Sequence, residues 1–356
     1  MVNLQRISVI VPTYNERENI AELIERLESL KLNIEIIIVD DNSPDNTAEE
    51  AMKLNGKYGN IKVLKRSGKL GLGSAIADGI KVASGDYMVI MDADLQHPPE
   101  KLADLYNALE NGADLAIASR YVKGSNIEGW STYRKIISKG ATFIAHLLLP
   151  ETKKVKDPLS GFFAFKRLSI KDFKPSTRSY KVLLELLHYI KGNNIKIVEI
   201  PYTFNKRKKG ESKLSFNEML HYLKLILKLN EYRIIKFMTV GASGILVNES
   251  ILYYLVESGL KIFYASPIAI EVSIISNHML NNLWTFKTRE SKKVSGYLKS
   301  LLKYHMSVAL GAVMNYVGLM VFTALGFHYL ASNILGIILG FISNYLFSEH
   351  IVWRVS

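Results

Sequence analysis

Cysteine is missing from all 356 residues, so disulfides and cysteine-bound zinc are excluded, although the compartment stays open. No His-Glu-X-X-His spacing is present, which removes the common helical zinc site as well. Neither the dinucleotide fingerprint nor a Walker loop occurs. The nearest approach is Lys65-Arg66-Ser67-Gly68-Lys69-Leu70-Gly71-Leu72-Gly73, a basic, glycine-bearing stretch ahead of a helical pattern. It reads as a mobile connection able to line a phosphate site. Acidic residues are the scarcer charge, 33 Asp and Glu against 45 Lys and Arg, for a formal net charge of +12. The basic residues gather beside apolar helical stripes rather than in a base-reading motif, which points to a membrane surface or an anionic substrate and away from nucleic acid. Residues 7–11 are too short an apolar run for a cleavable signal peptide and end at Pro12, so none is expected.

What the chain does contain, before residue 125, is one design used repeatedly: a short β-rich apolar run, then polar groups, then helical spacing. Residues 7–11 lead into Pro12-Thr13-Tyr14-Asn15-Glu16, after which Ile20, Leu23, Ile24, Leu27 and Leu30 recur at helical intervals. Residues 35–39 lead into Asp40-Asp41-Asn42-Ser43-Pro44-Asp45, and residues 115–118 into Ser119-Arg120-Tyr121. Residues 87–91 lead into Asp92-Ala93-Asp94-Leu95-Gln96-His97-Pro98-Pro99. Such alternation predicts an α/β fold with a parallel sheet whose carboxyl edge binds ligands. Two carboxylates one residue apart repel unless a cation sits beside them. Oxygen ligands from Asp92, Asp94 and the Gln96 amide suit Mg²⁺ or Mn²⁺, either of which can grip a diphosphate. Taken alone, the same residues also make an Asp-X-Asp turn ahead of a helix starting at Pro98-Pro99.

The joint order of these four turns resembles the family-2 inverting glycosyltransferases with the Rossmann-like GT-A fold for nucleotide-diphospho-sugars, and among them the dolichyl-phosphate mannose synthases. The resemblance covers roughly residues 5–215. It implies that Pro12, Tyr14 and Glu16 flank the donor's base and ribose, that Val39 and Asp41 contact the base side, and that Asp92, Ala93, Asp94 and Gln96 meet the diphosphate. It also implies a metal at Asp94 and Gln96 and a catalytic set of Asp92, Asp94 and Arg120. Arg207 and Lys213, in the loop Arg207-Lys208-Lys209-Gly210-Glu211-Ser212-Lys213, would close over the diphosphate, although that loop can equally bind lipid headgroups. Arg120, Arg134 and Ser138 would hold the acceptor phosphate. Arg134 and Ser138 are four residues apart and so share a helix face near its start. Asp157-Pro158-Leu159-Ser160-Gly161-Phe162-Phe163-Ala164-Phe165 would shape the acceptor side. A phosphomonoester with a second pKa of about 6 is already largely dianionic at neutral pH and needs no general base. That suits a sequence with no obvious base beside the metal site.

Beyond residue 231 the composition changes. Windows at about 234–256, 262–283, 304–325 and 329–347 are long and apolar enough to cross a bilayer. The expected organisation is therefore a cytoplasmic GT-A domain over 1–213, an amphipathic interfacial helix over 214–231, and an all-α transmembrane bundle of four helices over 232–356. In the linking helix Phe216, Leu220, Leu223 and Leu227 make the apolar face, beside Glu218, Lys224 and Lys228. Lys236-Phe237-Met238-Thr239-Val240-Gly241 and Asn282-Leu283-Trp284-Thr285-Phe286 resemble the GtrA-like four-helix membrane family. Lys287, Arg289, Lys292, Lys293, Lys299 and Lys303 crowd the central loop, which with the catalytic domain and Arg354 is placed in the cytoplasm by the positive-inside rule. Glu249 and Glu271 remain functional candidates as intramembrane carboxylates.

The resemblance implies metal-dependent, inverting transfer of mannose from GDP-mannose to dolichyl phosphate or another polyprenyl phosphate. Within enzymes, UDP-glucose is the alternative donor. From another class, the bundle could be a lipid-sugar translocator carrying a sugar-nucleotide sensor. A processive polysaccharide synthase is disfavoured, because no Gln-X-X-Arg-Trp segment is present.

Overall fold

Apolar strands buried along their whole length drive the first half of the chain into a sheet covered on both faces. In the computed structural model, residues 6–176, 180–206, 216–287 and 294–353 are described. Two compact units result, Met1–Leu229 and Asn230–Ser356.

The first unit runs β1 (Ile7–Thr13), α1 (Arg17–Glu28), β2 (Ile34–Asp40), α2 (Thr47–Tyr58), β3 (Ile61–Lys65), α3 (Leu72–Val82), β4 (Tyr87–Ile90), α4 (Lys101–Glu110) and β5 (Leu115–Ser119). It continues through β6 (Asn126–Ile127), α5 (Thr132–Leu148), β7 (Phe163–Lys166), α6 (Val182–Tyr189), β8 (Ile197–Pro201), β9 (Thr203–Phe204) and α7 (Phe216–Leu229). Seven strands lie in the order β3-β2-β1-β4-β7-β5-β8. All neighbours are parallel except β7, which runs antiparallel to both β4 and β5. Every residue of β1 and β2 is buried, as expected of central strands with helices on both sides. Ile20, Leu23, Ile24 and Leu27 bury the inner face of α1.

The reversed strand decides where the site forms. Because β7 enters from the carboxyl edge of β4 and β5, pairing Phe163 with both Ile90 and Ile117, the Asp157–Phe162 approach lies beside Asp92 and Arg120. The opposite edge is clamped by the fully buried Glu35, which accepts from Ser8 and Ser84 and pairs with Lys62 at 2.9 Å and Arg6 at 3.5 Å. Burial works to raise its carboxyl, but these partners outweigh it and lower it from 4.5 to about 2.

The second unit contains α8 (Arg233–Glu257), α9 (Ile262–Leu280), α10 (Val294–Ala324) and α11 (Tyr329–Phe347), with π-helical turns at Asn281–Thr285 and Ser348–Val352. Segments Arg233–Glu257, Gly296–Ala324 and Tyr329–Val352 are long and apolar enough to cross a membrane. Helix α9 contains Pro267, Glu271, Asn277 and His278. Helix α10 begins at Val294, nearly three turns before the expected 304, and Tyr297 and Ser300 of the added turns pack against His278, the latter through a 2.9 Å hydrogen bond. Lys299 and Lys303 are therefore helical rather than part of a loop, and Lys303 donates to the Ile351 carbonyl.

The two hairpins are copies of one another. Gly244 and Gly311, Asn248 and Asn315, Gly259 and Gly326, and Asn277 and Asn344 recur at one constant spacing, and the helix boundaries at Glu257, Ile262 and Leu280 recur with them at Ala324, Tyr329 and Phe347, whereas α10 begins earlier than the counterpart of Arg233. The packing follows a two-fold exchange. Phe237 of the first hairpin meets Tyr345 of the second, while its counterpart Tyr304 meets His278 of the first. Phe286 and its counterpart Trp353 stack on each other at 4.3 Å.

Candidate active site

The first two turns are tied together by short polar side chains. Thr13 Oγ1 donates to Asp40 Oδ1 at 2.9 Å, Asn15 N to Ser43 Oγ at 3.0 Å, and Glu16 N to Thr47 Oγ1 at 3.0 Å. Pro12 and Val39 are buried beneath them, with Tyr14 and Glu16 half-buried above. Asp41 is engaged by the protein itself: Arg66 pairs with Oδ1 and Gly71 N donates to Oδ2 at 2.9 Å. Arg66 also donates to Ser74 Oγ at 2.6 Å, so the stretch 65–73 is a braced turn rather than the mobile connection expected of it. Gly71 makes the turn with φ 99°, and Lys69 Nζ stands 3.9 Å above the Tyr14 ring.

The third turn bends sharply after β4. Leu95 is buried with φ 58°, a left-handed conformation that costs a leucine about 1 kcal/mol and is retained where the surroundings over-determine it. Gln96 N donates to Asp94 Oδ1 at 3.1 Å, and Gln96 Nε2 donates to the Asn205 carbonyl at 3.2 Å, leaving the amide oxygen as its unused end. Asp92 and Asp94 are half-buried, and Ala93 is buried between them. Gly161 makes room for Asp92, since a Cβ there would stand 2.6 Å from Oδ2. Two carboxylates and an amide oxygen within five residues form an all-oxygen donor set of the kind that fits Mg²⁺ or Mn²⁺. Among the described residues no three His, Cys, Asp or Glu side chains gather to hold a metal alone.

The fourth turn carries Arg120. Its Nε and Nη2 donate to Asp157 Oδ2 and Oδ1, both at 2.7 Å, and its backbone N adds a third bond at 2.9 Å. Burial opposes both charges, yet the mutual attraction prevails, raising the guanidinium above its ordinary value and lowering the carboxyl. The Arg120 guanidinium lies 5.4 Å from the Tyr121 ring and 5.5 Å from Trp130, and the Arg134 guanidinium lies 4.6 Å from the Trp130 ring. Tyr121 Oη donates to Ser138 Oγ at 2.7 Å. Arg120, Arg134 and Ser138 are thus gathered around two aromatic rings. Helix α5 starts from Ser131, which caps Arg134 N at 3.3 Å.

An aromatic box joins the two halves. His97 touches Phe162, Tyr202 and Phe204, and Phe204 lies 5.6 Å below Arg120. Burial pushes the Tyr202 phenol well above its ordinary value. Lys181, just ahead of α6, lies within electrostatic reach of Arg120, Asp92 and Asp157. Burial, then the Arg120 charge, lowers its ammonium. Arg207 and Lys213 lie outside the described residues. Lys181, Tyr202, the pairing of Arg66 with Asp41 and the role of Asp157 escaped the sequence reading. Each acts through a partner distant in the chain, and only their polar character inside apolar surroundings could have signalled them.

The Glycosyl transferase family 2 model matches residues 8–173, and the GtrA/DPMS transmembrane domain model matches residues 236–353. A protein named dolichol-phosphate mannosyltransferase from Pyrococcus furiosus is 44% identical over 98% of this chain and 99% of its own length. One of the same name from Saccharomyces cerevisiae is 36% identical over 67% of this chain and 90% of its own. Among solved structures, glucosyl-3-phosphoglycerate synthase from Mycobacterium tuberculosis, in complex with Mn²⁺, UDP and glucosyl-3-phosphoglycerate, superposes with a TM-score of 0.48 at 22% identity. That superposition covers 63% of this chain and 78% of the other. With sequence identity running through both units, the chain belongs to the dolichol-phosphate mannosyltransferase family of family-2 glycosyltransferases.

Proposed function

We propose that the protein transfers mannose from GDP-mannose to the phosphate of dolichyl phosphate, with inversion and with the help of Mg²⁺ or Mn²⁺. The observation that carries this reading is the meeting, at one sheet edge, of an all-oxygen turn (Asp92, Asp94, Gln96) with an arginine-rich pocket (Arg120, Arg134, Ser138), in a chain 44% identical to a protein named for that activity. Asp94 and Gln96, assisted by Asp92, would hold the ion, which when bound neutralises charge on the departing nucleoside diphosphate. Pro12, Tyr14, Glu16, Val39 and Asp41 would cradle the nucleoside. Asp41 also braces the cradle through Arg66. Arg207 and Lys213 are assigned to the donor diphosphate from the sequence.

On the acceptor side, Arg120 keeps Nη1 beyond its two bonds to Asp157, and Arg134 and Ser138 offer further donors to a phosphate. An acceptor phosphate oxygen attacks the anomeric carbon, the bond from that carbon to the donor phosphate oxygen breaks, and its electron pair leaves with GDP. No proton has to move when the acceptor is dianionic. Positioning and fixed charge then supply the catalysis.

The lipid substrate requires membrane contact. Helix α5 exposes Tyr133, Ile136 and Phe143 beside Lys135 and Lys139, and α7 exposes Met219, Leu220 and Leu223 beside Lys224 and Lys228. Tyr222 of α7 donates to the Ala141 carbonyl of α5, making the two helices neighbours. Both stripes suit the bilayer interface. In the same reading α8 to α11 cross the membrane four times, with the catalytic unit and the C-terminus cytoplasmic.

The test is transfer of labelled sugar to dolichyl phosphate by purified protein, comparing GDP-mannose with UDP-glucose, with and without added metal. Labelled lipid from GDP-mannose in the presence of metal is the expected result. Transfer from UDP-glucose alone would change the donor, and undiminished transfer after chelation would remove the metal.

A further inference from the structure

Behind the Asp92 carboxylate sits a buried histidine that the proposed chemistry does not use. His97 Nε2 lies 3.4 Å from Asp92 Oδ2, and the opposite ring nitrogen, Nδ1, lies 3.0 Å from Tyr202 Oη. The imidazole is only 2% exposed and is packed at 5.2–5.6 Å centroid distance against Phe162, Tyr202 and Phe204. It therefore has no freedom to turn away. A carboxylate oxygen can only accept, so the ring nitrogen facing it is the one that carries a hydrogen. Tyr202, with a hydroxyl that can donate to Nδ1, accommodates that tautomer. Gly161 completes the arrangement, because a Cβ there would stand 2.6 Å from Asp92 Oδ2 and 3.2 Å from His97 Nε2.

We infer that His97 is a positioning residue for Asp92: Tyr202 orients the imidazole, and the imidazole, packed in place against Oδ2, restricts the direction in which the carboxylate is presented to the metal–diphosphate unit of the donor. The inference rests on the proposed metal site. Its physical basis is general. A carboxylate that turns freely must be ordered when the ion arrives, whereas one already held by an outer partner does not, and removing such partners typically costs 10–100-fold in metal affinity. At 3.4 Å the contact is longer than an ordinary N–H···O bond, so its effect is expected toward the lower end of that range.

The experiment is a Mn²⁺ titration of the full-length protein with GDP present, followed by the loss of the free-ion electron paramagnetic resonance signal. His97→Leu, which keeps the bulk and removes the donor, is expected to weaken Mn²⁺ binding about 10-fold. His97→Gln, with its amide nitrogen able to take the place of Nε2, should recover affinity to within about 3-fold. Tyr202→Phe keeps the ring and the packing and should fall between them. It also keeps the inference testable should the leucine variant fail to fold. Gly161→Ala should displace Asp92 and weaken Mn²⁺ with little change in thermal unfolding. In transfer assays the metal concentration for half-maximal rate should move with these affinities, while the half-saturating dolichyl phosphate concentration should not. Wild-type affinity in both His97→Leu and Tyr202→Phe would overturn the inference and leave the metal site intact. Absence of Mn²⁺ binding by the unaltered protein would overturn the metal site, and the inference with it.

Discussion

Two buried arginine–carboxylate pairs, Arg120–Asp157 in the sheet unit and Arg233–Glu349 in the membrane unit, are built for different ends. In the sheet unit Arg120 meets Asp157 through two side-chain bonds of 2.7 Å and a backbone bond of 2.9 Å, with aromatic rings about it at the carboxyl edge of the sheet. In the membrane unit the approach of Arg233 to Glu349 is 3.7 Å, from Nε, and among the described residues its Nε and Nη2 find no hydrogen-bond partner. That second pair joins the start of one hairpin to the end of its copy. At the equivalent positions of the repeat stand Ser300 and Asn282. A tightly bonded pair beside a cleft aims a charge at a substrate, whereas a loosely bonded pair inside a bundle marks which surfaces belong together.

The largest expected effect separates the metal-bearing turn from everything else. Asp94→Ala should reduce transfer by at least 1,000-fold with an unchanged unfolding curve, on the order expected when an ion that stabilises developing charge is lost. Assay and melting on one preparation decide it.

Next come the two pairs. Asp157→Asn should cost about 3–5 kcal/mol by stranding a buried charge. The double change Arg120→Met with Asp157→Leu should recover most of that stability in denaturant titration and still leave the enzyme inactive. Arg233→Met with Glu349→Leu should retain both fold and transfer. Loss of transfer in this folded double variant would break the contrast between the pairs.

Arg134→Ala tests the acceptor side at a smaller scale. The half-saturating dolichyl phosphate concentration should rise about 10-fold, equal to about 1.4 kcal/mol, with the GDP-mannose dependence unchanged. An unchanged acceptor curve would take Arg134 out of the site.

Within the membrane unit, glycines should differ by their surroundings. A Cβ on Gly336 would stand 2.5 Å from the Asn315 carbonyl, so Gly336→Ala should cost about 1–3 kcal/mol in detergent unfolding. Gly241, with nothing within 4 Å, should tolerate alanine or gain up to about 1 kcal/mol.

The smallest effect is a pH dependence at the far edge of the sheet. Glu35 has its carboxyl lowered from 4.5 to about 2, so its contribution to stability is complete above the unfolded value and is lost as pH falls through that window. Glu35→Gln should lower stability at neutral pH and flatten the acid limb of the stability curve between about pH 4.5 and 2.

Much of the site was legible in advance, because strand ends announce themselves: an apolar run stops, and Asp, Asn, Pro or Ser begins. The turns at Tyr14, Asp41, Asp92 and Arg120 follow strands in that way, although β1 runs on through Pro12 to Thr13. The partners of those turns were not legible. Asp41 is held by Arg66, Arg120 by Asp157, and Asp92 stands beside His97 and Gly161, which reach the edge on other strands or later loops. The duplication of the hairpins was present in the spacing of Gly244, Asn248 and Asn277 with Gly311, Asn315 and Asn344, yet it is obscured because most equivalent positions share only apolar character.

By itself, then, the sequence determined the strands before residue 125, the polar turns at their ends and the stretches fit for a bilayer, since these follow from local periodicity and backbone preference. Only the tertiary structure decided that β7 reverses to bring Gly161 over Asp92, that aromatic rings collect Arg120 and Arg134, and that Arg233 of one hairpin meets Glu349 of the other. Those contacts join residues far apart in the chain, where no local preference operates and the choice falls to packing and the pairing of buried charge.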